Sequence, residues 1–282
     1  MTTWTFKAEP GIFVEIADIA HQYPQGKVTT QPSLGLIPGQ KYPSDDPNAS
    51  DQRDWARLTA YVRWLNETCP ENVCYKLLYL TRHGTGVHNK VHAEVGSEAW
   101  NSRAFNKQLN STLSGPISST STAHLSPEIL YTSPLARCLQ TTSLVFSSLM
   151  SSHSAEFQPL VKELLRERIT MHTCDFRRSR TWIVESYPNY KIEEGFTEDD
   201  GFRKRSGPET EEEHVERKQR ALEEIFEEAR DIQFLSLTVH SYAIRAIQAA
   251  VGASVCRTRE GTSLALLVRG ERRGLVNGTA EG

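Results

Sequence analysis

The chain has 282 residues, 38% hydrophobic, 24% charged and 9% aromatic, with a formal net charge of −3. These are ordinary values for a soluble globular protein with room for a sizeable core. They exclude a general polyanion binder, because no net positive field draws in nucleic acid or membrane, and no apolar run approaches the ~20 residues of a membrane span.

Met1 to Glu9 lacks a basic stretch followed by an apolar core, so no secretory signal is expected. Gly11 to Ile16 suits a strand. Pro24, Pro32, Pro38, Pro43 and Pro47 then block continuous helix or central strand. Residues 1–50 therefore read as an extended arm packed on the domain. Asp51 to Asn66 reads as a helix, since Trp55, Leu58, Tyr61, Val62 and Leu65 recur at three- and four-residue steps. Tyr75 to Leu80 is a short apolar run that suits a central parallel strand, and it opens into Thr81-Arg82-His83-Gly84-Thr85-Gly86.

Residues 94–109 carry helical character, and 110–126 are Ser- and Thr-rich loop. Glu128 to Tyr131 reads as a second strand, followed by a helix from Leu135 to Leu149 with Ser133 as cap and Pro134 in its first turn. A third strand is expected near Pro159 to Val161. Residues 172–208 read as an excursion covering the active face, with Trp182, Ile183, Tyr187, Tyr190 and Phe196 to bury. A charged helix follows at 209–230, with Val215, Leu222, Ile225 and Phe226 toward the core. Strands at Phe234 to Val239 and Ser263 to Val268 flank a helix from Tyr242 to Val251, and a Gly-rich tail from about 271 to 282 frays. The alternation predicts a three-layer α/β/α sandwich with a mostly parallel central sheet, spanning 51–270.

Cys69, Cys74, Cys138, Cys174 and Cys256 are odd in number and scattered. That pattern argues against a disulfide framework and fits a cytoplasmic protein. Their spacing is wrong for a zinc site, so no metal is expected.

Four polar groups stand where strands end: Arg82-His83, Ser133 to Arg137, Glu167 and His240. The C-terminal ends of parallel strands share one edge, so all four can converge in one pocket. Two Arg, two His and one Glu suit a dianion, because Arg forks a phosphate bidentately. Taken singly, each has a blander reading: the His as buried structural groups, Arg137 as a surface residue, Glu167 as a salt-bridge partner.

Leu80-Thr81-Arg82-His83-Gly84, Asn89, Ser133-Pro134-Leu135-Ala136-Arg137-Cys138, Leu165-Arg166-Glu167 and Val239-His240-Ser241 occur in that order. Over residues 73–255 this resembles the histidine phosphatase (phosphoglycerate mutase-like) superfamily. The Arg-His-Gly-x-Gly-x-His-Asn form, with its proline-rich arm, is similar to the fungal phosphomutase-like branch.

The resemblance implies a phosphoglycerate mutase-like fold and a metal-independent phosphatase acting on a small-molecule phosphomonoester, with no cofactor. It implies His83 as the nucleophile forming a phosphohistidine, and Arg82, Arg137 and His240 as the phosphate cradle. Asn89 would contact the phosphate, and Glu167, preferred over Glu163, would be the general acid. Ser241 is expected at the helix cap beside the substrate, and His88 and His92 at the rim.

Arg177, Arg178 or Arg180 is expected to bind a second anionic group, with Trp182 and Tyr187 bordering an apolar substrate. Thr85 stands where many relatives carry Glu or Gln, which weakens a phosphomutase reading without removing it. Chemistry on a non-phosphate substrate in a biosynthetic pathway is the other alternative. A homodimer is compatible with the sequence, and neither a nucleic-acid nor a membrane partner is expected. Arg203-Lys204-Arg205 against Glu211-Glu212-Glu213 reads as a self-paired face.

Overall fold

Two-residue alternation of buried side chains sets the sheet. On the strand Val73–Arg82, Leu78 and Leu80 face one apolar cluster while Leu77 and Tyr79 face another. A strand buried on both faces belongs in the middle of a sheet with helices on each side. A computed structural model describes residues 3–48, 53–86, 89–90, 92–94, 127–152, 156–170 and 172–274.

Its elements in chain order are β1 (Thr3–Ala8), α1 (Ile16–Ile19), β2 (Lys27–Val28), α2 (Asp54–Thr68), β3 (Val73–Arg82), β4 (Ile129–Thr132), α3 (Ala136–Ser152) and β5 (Leu160–Val161). They continue with α4 (Arg180–Ser186), β6 (Lys191–Ile192), α5 (Glu211–Glu228), β7 (Phe234–Val239), α6 (Ser241–Ala250), β8 (Arg257–Thr258) and β9 (Ser263–Arg273).

The seven-stranded sheet runs β1-β9-β3-β7-β4-β5-β6. Strands β3, β7, β4, β5 and β6 pair in parallel, and β9 pairs antiparallel with both β3 and β1. Helices α5 and α6 cover one face through Leu222, Ile225, Phe226, Ile244 and Ile247. Leu58 and Val62 of α2 and Phe146 and Met150 of α3 pack with the other. Each fully buried Leu or Phe among them contributes about 1.5–3 kcal/mol. This is the three-layer α/β sandwich with a mostly parallel sheet that the alternation predicts.

Three segments differ from the sequence expectation. The N-terminus opens as a sheet strand, not an extended arm. In β1, Trp4 and Phe6 point to one side, stack on each other and meet Phe226 edge-on at 5.7 and 4.8 Å. Gly11 to Ile16 forms no strand; Phe13 makes a single bridge to Leu36, and Ile12, Phe13, Leu34, Leu36 and Tyr42 pack with α2. At the other end, β9 continues through Arg273, paired by β1 as far as Arg273 and by β3 as far as Glu271, so Glu271 to Arg273 of the tail expected to fray are held; 275–282 lie outside the described residues.

The 172–208 segment contributes an edge strand, β6, paired with β5. In α5 the buried positions include His214, Arg217 and Lys218, while Val215 is only half-buried. The helix expected at 94–109, apart from Glu94, and the Ser/Thr-rich stretch to 126 lie outside the described residues, as does His88.

Candidate active site

The parallel strands end on one edge, and a cavity of about 1030 Å³ opens there. Its wall includes Arg82 at the end of β3 and His83 just after it, Arg137 at the start of α3, Glu167 after β5, and Ser241 at the start of α6. Asn89, Thr85 and His92 line it from the segment after β3, Asn89 and His92 in helical conformation. His240 lies fully buried beneath, its ring centroid 5.0 Å from that of His83 and tilted by 62°.

Hydrogen bonds fix both imidazoles. Nδ1 of His83 stands 2.7 Å from the Gly84 carbonyl. A carbonyl only accepts, so Nδ1 carries the proton and the lone pair sits on Nε2. Backbone bonds from His83 N to Val239 O (3.0 Å) and from Gly261 N to His83 O (3.0 Å) clamp this residue between β7 and the turn before β9. For His240 the logic reverses. Arg137 Nε donates to Nδ1 at 3.2 Å, and a guanidinium cannot accept. His240 is therefore the neutral Nε2–H tautomer, donating to Ser133 Oγ at 2.8 Å.

The two arginines are held as firmly. Arg137, almost fully buried, also donates Nη1 to the Cys174 carbonyl at 2.8 Å. Arg82 donates Nη1 to the Thr258 carbonyl at 2.5 Å and pairs Nη2 with Glu260 at 2.7 Å. Its buried Nε has no hydrogen-bond partner among the described residues. Burial lowers the Arg82 pKa, and Glu260 partly offsets this. Neither Thr258 nor Glu260 carries a local sequence signal, since the contact spans more than 170 residues.

Glu167 accepts from Arg168 N (3.0 Å) and, in the first turn of α6, from Tyr242 N (3.3 Å) and Ala243 N (3.0 Å). It thus caps the helix that Ser241 was expected to cap; Ser241 is instead the first helical residue. Burial pushes the Glu167 carboxyl above its ordinary value, outweighing the lowering by the Arg168 amide, Arg137 and the Tyr242 amide. Glu163 lies outside the cavity wall and pairs with Arg166 and Arg177, both at 2.7 Å.

The loop bearing Glu167 is held by α5. Arg217 donates to the carbonyls of Leu164 (3.0 Å), Arg166 (3.1 Å) and Glu167 (2.9 Å), and Lys218 to those of Leu164 and Arg166. Sequence patterning missed this role, because a charged helix reads by default as a solvated face.

Other expected residues fall elsewhere. Asn89 lines the cavity, but its Oδ1 accepts from Gly86 N at 2.9 Å, pinning the loop. Arg177 does not line it. Its guanidinium is buried over the Phe196 ring at 4.1 Å and bonded to Glu163, Thr197 and the carbonyls of 178, 198 and 199. Arg180 is exposed at the start of α4 and away from the cavity. Trp182 and Tyr187 pack in a separate cluster with Ile183 and Tyr190. Arg177, Arg178 and Arg180 thus lie outside the cavity wall. Arg205 pairs with Glu213 at 2.9 Å, as a self-paired face requires.

None of the five cysteines is in a disulfide, and no helix of the described residues is long and apolar enough to cross a membrane.

No family model matches the chain. An Arthroderma benhamiae protein named "Probable phosphoglycerate mutase" is 33% identical over 291 aligned residues, covering 94% of this chain and 84% of that protein. A Saccharomyces cerevisiae protein, also named a probable phosphoglycerate mutase, is 27% identical over 76% of this chain and 88% of its own length. A crystal structure of phosphoglycerate mutase from Bacillus anthracis aligns at a TM-score of 0.45 with 15% identity, covering 70% of this chain and 89% of that one. The chain belongs to the histidine phosphatase (phosphoglycerate mutase-like) superfamily, within its fungal phosphomutase-like branch.

Proposed function

We propose that this protein is a metal-independent phosphatase that hydrolyses a small phosphomonoester through a phosphohistidine on His83. The observation that carries this reading is the His83–Gly84 bond, which leaves a nitrogen lone pair on Nε2 in a cavity that also holds Arg82, Arg137 and Glu167. Phosphoryl transfer needs chiefly positioning and charge stabilisation, which this set can supply.

In the first step Nε2 of His83 attacks phosphorus and the bond to the leaving oxygen breaks. That oxygen takes the proton of Glu167. In the second step water attacks the phosphohistidine, Glu167 accepts the water's proton, the nitrogen–phosphorus electron pair returns to Nε2, and inorganic phosphate leaves. Arg82 and Arg137 neutralise the equatorial oxygens throughout. A Glu167 carboxyl raised by burial holds its proton to a higher pH than a free carboxyl does.

A phosphomutase is the second reading, favoured by the names of the fungal relatives. It requires a bisphosphate donor and exclusion of water from the intermediate. Thr85, on the cavity wall, cannot supply the carboxyl or amide that many relatives place there.

The test is release of inorganic phosphate from p-nitrophenyl phosphate and a panel of sugar, nucleotide and lipid-precursor phosphates. Wild type should turn over and be inhibited by vanadate, unaffected by EDTA, while His83→Ala should not turn over. Turnover by His83→Ala at the wild-type rate would overturn the reading.

A further inference from the structure

The cavity lining carries basic side chains beyond the Arg82–Arg137 cradle. Lys27 and Arg257 are paired residues of the parallel two-stranded ribbon formed by β2 and β8, and both line the cavity. Side chains of directly paired residues stand on the same face, about 5 Å apart at the backbone. Two cations in that position repel each other. Among the described residues no carboxylate pairs with either: Arg257 reaches only the Gln25 carbonyl at 3.4 Å, and Lys27 has no ion pair. Arg245, which also lines the cavity, lies against the Tyr242 ring at 5.3 Å and, among the described residues, has no carboxylate partner.

The acidic groups lining the cavity are committed, Asp175 among them, which accepts from Thr170 N at 2.9 Å. Glu260 pairs with Arg82, Glu209 with Arg217, and Glu167 caps α6. The ribbon is also fastened to the phosphate cradle. One residue beyond Arg257, the Thr258 carbonyl receives Arg82 Nη1, and Gly261 N bonds the His83 carbonyl.

We propose that Lys27, Arg257 and Arg245 form a second anion subsite, which selects substrates bearing a second phosphate or carboxylate besides the one transferred. This rests on the phosphatase reading for the role of the first phosphate, though not for binding itself. These three residues line the cavity, whereas Arg177 and Arg180 lie outside its wall. Its ligand neutralises two facing cations and fills part of a cavity far larger than one phosphoryl group. Because β8 holds both Arg257 and the brace on Arg82, the two anion sites keep a fixed spacing, so chain length between the anionic groups matters.

The test measures binding rather than turnover. Full-length His83→Ala protein is titrated calorimetrically with propyl phosphate, propane-1,3-diyl bisphosphate and 3-phosphooxypropanoate, and with the equivalents carrying a two-carbon and a five-carbon spacer. The same titrations are repeated in a background that adds Lys27→Gln and Arg257→Gln. In His83→Ala, at least one doubly anionic ligand should bind about tenfold or more tighter than propyl phosphate, as expected for charge-assisted bonds to guanidinium and ammonium. The ratio should fall to near one in the triple variant, and an Arg257→Lys change should retain part of it.

A preference for the bisphosphate over the carboxylate, or the reverse, identifies the second group. Equal affinities for all ligands in His83→Ala, or a ratio unchanged by the added substitutions, would overturn the subsite. A subsite that persists in a protein whose wild type releases no phosphate would instead overturn the proposed function alone.

Discussion

Arg137 Nε donates to Nδ1 of His240 across 3.2 Å, so a permanently charged group and a neutral imidazole form one unit. The guanidinium fixes the tautomer, aims the Nε2 proton at Ser133, and keeps its Nη1 on the Cys174 carbonyl. A lysine cannot reproduce this fork. Arg137→Lys should lower kcat/KM for p-nitrophenyl phosphate by about 10²–10³, the cost of losing one preorganised donor at a developing charge. Steady-state kinetics with thermal unfolding as a control would check it; a loss under threefold would mean the pair does not organise the cradle.

Glu167 should leave its mark on the pH profile. Its carboxyl is raised by burial, so the folded protein holds a proton that the unfolded chain has already released. Stability therefore falls as pH rises from the unfolded value of about 4.5 through the raised folded value. Glu167→Gln keeps one of the two oxygens that accept from the Tyr242 and Ala243 amides and cannot ionise. Its melting temperature, relative to wild type, should gain on going from pH 4 to pH 7. Turnover of alkyl phosphates should fall about 10²-fold or more, as for loss of a general acid. Hydrolysis of p-nitrophenyl phosphate, with its better leaving group, should fall less. Equal losses on both substrates would count against the acid role.

Arg217 and Glu209 form a buried pair at 2.7 Å that also carries the Glu167 loop. Removing one partner strands the other charge. Arg217→Ala should cost about 3–5 kcal/mol in urea denaturation. The Arg217 and Arg166 guanidinia hold Glu209 and Asp200 below the ordinary carboxylate range. The stability these two contribute is present above that range and is lost as pH falls through their lowered values. Acid titration of Arg217→Ala should accordingly show a shallower loss of stability than wild type. A wild-type-like urea midpoint would show the pair to be ornamental to the fold.

The β1–β9 edge has its own probe. A Cβ at Gly270 would stand 2.6 Å from two ring carbons of Phe226 and 3.3 Å from the Trp4 ring. Gly270→Ala should destabilise by about 1–3 kcal/mol through overpacking. A Phe226→Leu change should recover part of that loss. Failure of the double substitution to recover any would place the strain elsewhere.

Most of the sheet was legible because central strands announce themselves: Leu77 to Leu80 and Phe234 to Val239 are apolar runs ending at polar residues. The catalytic candidates were legible for the same reason, since Arg82-His83 and His240 follow those runs directly. The first strand carries a local signal of its own. Trp4, Phe6 and Ala8 alternate with Thr3, Thr5 and Lys7, a period-two pattern. The supports were not legible at all. Glu260 on Arg82, and Arg217 on the Glu167 loop, join residues far apart in the chain, and nothing local distinguishes a buried arginine on a charged helix from a solvated one. Arg177 misled in the opposite direction, because a cationic run beside aromatics serves equally well as an internal strut.

The most direct measurement is trapping of the phosphoenzyme. Wild-type protein is mixed briefly with labelled p-nitrophenyl phosphate, quenched in alkali, digested and analysed by mass spectrometry. One acid-labile phosphoryl group is expected on the peptide containing His83, formed at a rate competent for turnover and absent from His83→Ala. Turnover with no phosphorylated His83, or phosphate on another residue that persists in His83→Ala, would contradict it.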